Sequence, residues 1–423
     1  MRFFLYKDFF FDYHKIEISF REIYTAASDD PAGKYAFLGK GGFAVYNLNM
    51  AINVIISAIL VIQSAFALPL DSLIFRIDNE ASVFESGDDM YTVIWSTSLP
   101  GTGYVTYTYE GEEYVVKDLQ NSAVRTTDMV HSVRIPKAHL DHNTYTYSSQ
   151  QIGTRRAYVA VKGRTVTSDP VEFQGYAGQE EIHALVLSDI HENPYTAQKA
   201  VDNFDAAPDL LVLNGDLVSY MTSVLKFKQI LSYAHRFSGG TIPVIYTRGN
   251  HENRGTYGPE AVDIFKTSTR GQYFTCRYGP IYSLCLDTGE DKDDSDWTYS
   301  GLVDSTSYIG VETEWMKTLS PEEDARYRMC FAHMPNLDNR YGFNWIPLLT
   351  DLKIDMFVGA HKHRVNFEYR KQAAPFYQML DGGKTRDDGF VATMLTFADG
   401  TVNAVCYDDQ KNLVGEHTYV IER

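Results

Sequence analysis

Short apolar runs recur through the second half of the chain, each a few residues before a group of polar side chains. They are residues 186–187, 210–213, 242–246, 329–331 and 355–358. Runs of this length, bounded by Gly and Asp, are typical of buried strands. Helical patterns at residues 194–204 and 224–237 lie between some of them. The alternation predicts an α/β fold in which the strands deliver the loops at their carboxyl ends to one edge of a sheet.

A two-residue period dominates the preceding part of the chain. Apolar and polar residues alternate through 91–95 and 104–109, with turn residues at 101–103 and at Gly111. Short strands at such spacing predict a β-sandwich of about a hundred residues, with Trp95 in its core. Near the other end of the chain, the Asp-Gly pair at residues 399–400 separates two alternating runs and predicts a hairpin.

Side chains that bind metal ions stand where the strands of the second half should end. They are Asp189 and His191, Asp216, Asn250 followed by His251, His333, and the pair His361 and His363. Carboxylate, amide carbonyl and neutral imidazole suit hard or borderline divalent ions better than metals that prefer thiolate. One such motif alone would carry little information. Five of them at successive strand ends predict a site for two adjacent metal ions.

These motifs resemble those of the calcineurin-like metallophosphoesterases, which carry Asp-x-His, Gly-Asp, Gly-Asn-His-Glu, a later His and Gly-His-x-His. The resemblance covers residues 183–407, with Ala360 where the family usually has Gly. It implies a four-layer α-β-β-α sandwich. It also implies that Asp189, His191 and His363 hold one metal ion, that Asn250, His333 and His361 hold the other, and that Asp216 bridges the two.

The resemblance implies hydrolysis of phosphate esters by a hydroxide that two metal ions activate at neutral pH. The ions would be divalent or mixed-valence, with Fe, Zn and Mn all open. His251 is expected to protonate the leaving group as a general acid, and the alternative is that it orients Asp216 or Asn250. Arg254 and Arg340 are candidate substrate-binding residues because a guanidinium matches phosphate oxygens.

A β-sandwich in front of such a domain resembles the purple acid phosphatases and their bacterial relatives, which carry a fibronectin-like domain there. Ser219 stands where the purple enzymes have a Tyr ligand, and Tyr220 comes one residue late. The chain is therefore expected to be a relative without the purple chromophore. We predict an N-terminal extension at 1–79, a fibronectin-like sandwich at 80–175 and a metallophosphoesterase domain at 180–423.

Four functions are compared for these motifs, and one of them is a phosphoprotein phosphatase, although the sequence gives no groove or partner helix that singles out protein substrates. A phosphomonoesterase acting on a small phosphate ester is favoured by the purple-phosphatase-like layout. A phosphodiesterase acting on small or cyclic diesters would use the same site chemistry. A surface binding protein with a decayed catalytic domain should have lost at least one ligand, and none is missing from the set. The physiological substrate and the oligomeric state stay open.

Residues 50–68 are apolar and almost free of charge, with a small-x-small cleavage pattern at residues 65–67. Their length suits a signal-peptide core and is short for a membrane span. Residues 1–49 precede them, which is long for a signal-peptide start. The segment predicts either export, with the true start further downstream, or an uncleaved membrane anchor with the enzyme outside. A buried helix and a cytoplasmic protein are the alternatives.

Composition narrows the possible partners. The formal charge of −17 over 423 residues argues against a nucleic-acid binder, which needs a basic surface. It does not argue against a phosphate ester, because bound metal ions would supply local positive charge.

The sequence contains four cysteines, Cys276, Cys285, Cys330 and Cys406, and their spacing fits no zinc-binding motif. Buried free thiols are expected, and a disulfide between the first two is the alternative in an exported protein.

Overall fold

The computed structural model describes residues 35–39, 42–46, 74–118, 128–155, 160–339, 341–369 and 373–421. The chain divides into two units, residues 1–72 and residues 73–423. In the first unit, the described residues form an antiparallel hairpin of β1 (Tyr35–Gly39) and β2 (Gly42–Tyr46). The predicted signal or anchor segment at 50–68 lies outside the described residues. Within the described ranges, no helix combines the length and the apolar character needed to cross a membrane.

The second unit begins with a group of antiparallel strands, here called the β-module. Its elements are β3 (Ile77–Glu85), β4 (Met90–Tyr109), β5 (Glu112–Lys117), β6 (Asp128–Pro136), helix α1 (Lys137–Leu140), β7 (Thr144–Arg155), β8 (Ala160–Thr167) and β9 (Val171–Glu172). Strand β4 pairs with β3, β5, β6 and β7. Trp95 is fully buried as predicted, and its indole nitrogen donates to the Ser149 hydroxyl at 2.8 Å. Strands are present in this region, while their fibronectin-like arrangement and the domain boundaries stay predictions.

The turn predicted at residues 101–103 is wrong, because these residues lie inside β4. Glycine is required here because neighbouring side chains pack closely against the strand. A Cβ at Gly103 would lie 2.7 Å from the Cβ of His131 and 2.7 Å from the Trp95 ring. Gly111 does occupy a turn, with φ of 83° between β4 and β5. Glycine inside a strand can therefore mark a close neighbour as readily as a chain reversal.

The first large sheet has a parallel centre made of β10 (Ile182–Leu187), β11 (Leu210–Asn214) and β12 (Pro243–Thr247). On one side it continues through the antiparallel strands β20 (Phe390–Ala398), β21 (Thr401–Asp408) and β22 (Leu413–Val420), with β19 (Gly383–Lys384) beside β20. The predicted hairpin at residues 399–400 joins β20 to β21.

On its other side the same sheet runs into the β-module. Strand β3 pairs in parallel with β12, where Val83 and Phe84 lie opposite Pro243 and Val244. The described strands thus form one hydrogen-bonded sheet of 14 strands. The β-module shares a hydrophobic core with the rest of the unit as well, because Phe84 and Ile94 join the same buried cluster as residues of β10 and β11.

A second sheet holds six described strands in the order β13 (Phe274–Tyr278), β14 (Ile281–Cys285), β15 (Tyr327–Phe331), β16 (Met356–Gly359), β18 (Tyr377–Asp381) and β17 (Val365–Asn366). Strands β14, β15, β16 and β18 are mutually parallel. Each of the four cysteines, all among the described residues, is buried and free, in agreement with the sequence.

The remaining elements are helices. They are α2 (Pro194–Val201), α3 (Val224–Ser238), α4 (Ala261–Phe265), α5 (Ser305–Met316) and α6 (Ile346–Asp351), with 3-10 helices at His251–Asn253, Gly258–Glu260 and Trp297–Tyr299. The predicted helices at 194–204 and 224–237 correspond to α2 and α3.

Consecutive residues of a central strand pack into different hydrophobic clusters. Val212 of β11 joins a cluster with Met329 and Val358 of the second sheet, whereas Leu211 joins a cluster with Phe227 of α3. This alternation is what two-sided burial of a strand produces. A third cluster packs α5 and α6 on the second sheet. The mixed α/β fold is confirmed, with two sheets sharing a core and helices packed on the other face of each.

Candidate metal centre

The predicted ligands meet beyond the carboxyl ends of five strands. Asp189 and His191 follow β10, Asp216 follows β11, Asn250 and His251 follow β12, His333 follows β15, and His361 and His363 follow β16. Among the described residues, three overlapping groups have ligand atoms within 4.8 Å of one another: Asp189, His191 and His363; His191, Asp216 and His251; Asp216, His333 and His361. The structure thus gathers side chains that are up to 174 residues apart in the sequence, the separation of Asp189 and His363.

Left-handed backbone bends turn these side chains inwards. The φ angles are 47° at Asp189, 43° at His191, 54° at Asp216, 67° at His361 and 53° at His363. Such angles are uncommon for residues other than Gly and store strain, and they persist where the surroundings hold them. Their concentration at five of the predicted ligands is typical of a functional site.

Asp216 belongs to two of the three groups. Its Oδ2 lies 2.9 Å from Nε2 of His333 and 3.9 Å from Nε2 of both His191 and His251. Burial opposes ionisation of Asp216, but the charge on His333 holds the pKa of Asp216 well below its usual range. A shared carboxylate in this position suits a ligand that bridges two cations.

Asp189 belongs to the group that also contains His191 and His363. Its Oδ1 lies 3.5 Å from Nε2 of His363 and 3.8 Å from Nε2 of His191. Its Oδ2 accepts the backbone N–H of His361 at 3.0 Å. Burial raises the pKa of Asp189 above its ordinary value, and the neighbouring Asp216 raises it further. A bound cation would relieve the cost of two buried carboxylates.

Unpartnered polar atoms test whether metal ions fit. Asn250 is buried, and within the described part of the chain neither Oδ1 nor Nδ2 of its side chain has a hydrogen-bond partner. Oδ1 of Asp189 also has no hydrogen-bond partner among the described residues. Buried polar groups nearly always have partners. These two oxygens, together with the four imidazoles of the predicted ligand set, form a donor set that fits divalent ions.

Backbone carbonyls orient the imidazoles. Nδ1 of His333 lies 2.8 Å from the carbonyl oxygen of Asn214, and Nδ1 of His363 lies 2.7 Å from that of Lys384. Each Nδ1 therefore donates its hydrogen to a carbonyl oxygen, which fixes the ring with Nε2 directed at the centre. This arrangement is the one expected of metal-binding histidines.

Glu252 ends the Gly-Asn-His-Glu motif and binds backbone rather than the centre. Its carboxylate accepts N–H groups from Asp216 at 2.9 Å, Leu217 at 2.6 Å, Val218 at 3.2 Å and Gly249 at 2.9 Å. It thereby fixes the two loops that carry Asp216 and Asn250 against each other.

Sequence reasoning missed Asp381. This buried residue ends β18, and its Oδ1 accepts the hydroxyl of Ser188, the residue before Asp189, at 2.7 Å. Burial raises the pKa of Asp381 to about 7. The only signal in the sequence is an Asp after an apolar pair and before two glycines, which is too common to single out.

The candidate substrate-binding residues have different outcomes. Arg254 lies at the edge of the centre, with Nη1 3.1 Å from Nε2 of His251. Arg340 lies outside the described residues.

Ser219, which stands where the purple enzymes have a Tyr ligand, makes two hydrogen bonds. Its carbonyl oxygen accepts Nδ1–H of His251 at 2.9 Å, and its hydroxyl donates to Glu192 at 2.6 Å. Its hydroxyl is therefore engaged away from the metal positions.

Comparison with known proteins agrees with this geometry. Residues 182–365 match the model of the calcineurin-like phosphoesterase family. No curated protein matches the chain.

Three solved structures are among those similar to this chain. A structure of PhoD has a TM-score of 0.46 and 11% identity, with 80% of this chain and 88% of that chain covered. A dimetal phosphatase from Danio rerio has a TM-score of 0.38 and 9% identity, with 57% and 99% covered. Vps29 of Entamoeba histolytica in complex with zinc has a TM-score of 0.28 and 9% identity, with 57% and 100% covered.

Proposed function

We propose that the protein is a dinuclear metal-dependent phosphoesterase that hydrolyses small phosphate monoesters. The observation that carries the proposal is the position of Asp216, whose carboxylate is shared between two groups of ligands. A single-metal site would not need a shared, buried carboxylate with imidazoles on both sides. The unpartnered side chain of Asn250 supports a second ion on the His333 side.

Seven side chains would hold the two ions. Asp189, His191 and His363 would bind one, Asn250, His333 and His361 the other, and Asp216 both. When bound, two ions supply the Lewis acidity that activates water and neutralises charge on a phosphoryl group. Nitrogen and oxygen donors without thiolate favour Fe, Zn or Mn.

The chain's own contribution is to hold these ligands in place before substrate arrives. Glu252 fixes the Asp216 loop through three backbone N–H groups. The carbonyl groups of Asn214 and Lys384 fix the rings of His333 and His363. Such fixed geometry lowers the cost of assembling the reacting groups.

Location and accessory structure belong to the same proposal. The apolar segment at 50–68 favours an exported or membrane-anchored enzyme acting on a small phosphate ester outside the cytoplasm. The β-module would be a fibronectin-like domain beside the catalytic domain. A membrane-fractionation experiment with the full-length chain tests the location, and a protein that stays in the cytosol would overturn it.

The activity test compares 4-nitrophenyl phosphate with bis(4-nitrophenyl) phosphate, using the full-length chain loaded with Mn²⁺. We expect a higher kcat/KM for the monoester and loss of both activities after the metal is removed by a chelator. Higher activity on the diester would assign a phosphodiesterase instead. Absence of hydrolysis of both, with two metal ions bound, would overturn the proposal.

A further inference from the structure

Arg254 is held by acidic residues from a distant segment. This segment, residues 289–304, follows β14 and is here called the acidic insertion. Nε and Nη2 of Arg254 donate to Oε2 of Glu290 at 3.2 and 3.1 Å, and Nη2 also donates to Oδ1 of Asp291 at 2.9 Å. The hydroxyl of Tyr299 donates to the same Glu290 oxygen at 3.0 Å. The guanidinium therefore has a fixed position set by the acidic insertion.

The remaining nitrogen of Arg254 faces His251. Nη1 lies 3.1 Å from Nε2 of His251. A guanidinium can only donate, so Nε2 of His251 must accept. On the other side of the ring, Nδ1 lies 2.9 Å from the carbonyl oxygen of Ser219, which can only accept. Two independent neighbours thus require the same arrangement, with the hydrogen on Nδ1 and a lone pair on Nε2.

We propose that Arg254, rather than His251, is the hydrogen-bond donor that the substrate meets at this edge of the centre, and that Glu290, Asp291 and the accepting Nε2 of His251 position it. This inference rests on the proposed phosphoesterase function. Nε2 of His251 lies 3.9 Å from Oδ2 of Asp216, which places the pair next to the bridging carboxylate. About a fifth of the Arg254 side chain is exposed, at 21%.

This role differs from the general acid expected from the motif. In the observed arrangement Nε2 has no hydrogen to give to a leaving group. For His251 to donate from Nε2, Nη1 of Arg254 would have to move away from it, although three hydrogen bonds to Glu290 and Asp291 hold the guanidinium in place. A planar guanidinium held on two sides is instead suited to bind a phosphoryl oxygen in one orientation.

Kinetics of His251 variants separate the two roles. In His251→Gln the amide oxygen can still accept from Arg254, but an amide cannot act as a general acid. We expect H251Q to keep kcat/KM within about tenfold of the wild type, while H251A and R254M each lose roughly 10- to 100-fold, since a hydrogen bond to a charged group is lost. These losses should be equal for aryl phosphates with good and poor leaving groups.

The general-acid role gives a different pattern. H251Q would then lose as much as H251A, roughly 10²- to 10⁴-fold, and most for poor leaving groups. That result would overturn the inference. The kcat/KM of E290Q should lie between those of the wild type and R254M, because Arg254 keeps only part of its hydrogen bonding to the acidic insertion. The control is E314Q, which removes an exposed carboxylate of α5 that pairs with Lys317, and it should leave kcat/KM unchanged.

A second readout needs no activity. Long-range ¹H–¹⁵N spectra of the metal-free full-length chain, labelled in histidine, report which ring nitrogen carries hydrogen, and H251Q identifies the signals of His251. We expect hydrogen on Nδ1 in the wild type, in E314Q and in R254M, where the Ser219 carbonyl still accepts it, and a shifted Nε2 resonance in R254M, which loses the Arg254 donor. Hydrogen on Nε2 in the wild type would overturn the inference. If the wild type hydrolyses no ester the proposed function fails, and the spectra still decide the position of Arg254.

Discussion

The carboxylate of Glu252 lies 2.9 Å from the backbone nitrogen of Asp216 and ties two neighbouring strand ends together. The same carboxylate accepts the N–H of Gly249, one residue before Asn250. Gly249 has little room for a side chain, since a Cβ there would lie 2.2 Å from Oδ1 of Asp216. The Gly-Asn-His-Glu motif thus couples the proposed bridging ligand Asp216 and the proposed ligand Asn250 through one buried acid.

Replacing Glu252 by Gln should weaken metal binding without removing a ligand. The amide nitrogen would face backbone N–H groups, and each donor left without a partner costs about 1–3 kcal/mol. We expect metal affinity to fall by about 10- to 100-fold, as for other residues that orient ligands. Isothermal titration of the metal-free protein with Mn²⁺ measures this. Affinity equal to that of the E314Q control would contradict the role given to Glu252.

Replacing Asp216 by Asn should affect both metal ions at once. The variant keeps the size of the side chain but removes the negative charge shared between the two ligand groups. We expect fewer than two ions per chain by elemental analysis and loss of measurable turnover. A variant that retains two ions and wild-type kcat would exclude Asp216 as the bridge.

Replacing Asn250 by Ala should remove one ion and leave the other. The Asn250 side chain lies on the side of His333 and His361 in the proposed ligand set, and its amide is unpartnered without a cation. We expect the metal content to fall from about two ions per chain to about one. The apo protein should fold normally, because no hydrogen bond of that side chain is lost. Loss of both ions, or of neither, would show that the two sites are divided differently.

The sequence predicts which side chains come together, because each belongs to a short motif at the end of an apolar run. Asp189, His191 and Asp216 follow β10 and β11 directly, so their meeting follows from parallel strands alone. Arg254 differs, because its neighbours Glu290 and Asp291 lie 36 and 37 residues later on a segment without periodicity. The position of Asp381 depends on β18 pairing with β16, which no local pattern announces. Long-range pairing of loops and strands is therefore what the sequence alone leaves open.

Glu85 should make stability depend on pH. This buried residue of β3 lies 2.6 Å from Nζ of Lys137, yet burial outweighs the lysine and raises the pKa of Glu85 from 4.5 to about 7. The folded state therefore keeps a proton that the unfolded state releases. Its stabilising contribution is present below about pH 4.5 and is lost as the pH rises to about 7.

Comparison with E85Q isolates this effect. Between about pH 5 and about pH 8, the free energy of unfolding of the wild type should fall by about 2–3 kcal/mol relative to the variant. Chemical denaturation at the two pH values measures the difference. A wild type that gains stability relative to E85Q over this range would reverse the sign and show that Lys137 dominates.

The pairing of β3 with β12 also has a consequence for solubility. Without the β-module, β12 would expose a row of unpaired N–H and C=O groups at the border of the first large sheet. Bare strand borders of this kind recruit other chains and promote aggregation. The loss of Phe84 and Ile94 would in addition open an apolar surface beside α3. The β-module therefore covers a strand edge that would otherwise associate with other chains. A fragment of residues 180–423 should aggregate under conditions in which the longer chain remains monodisperse, and light scattering measures the difference.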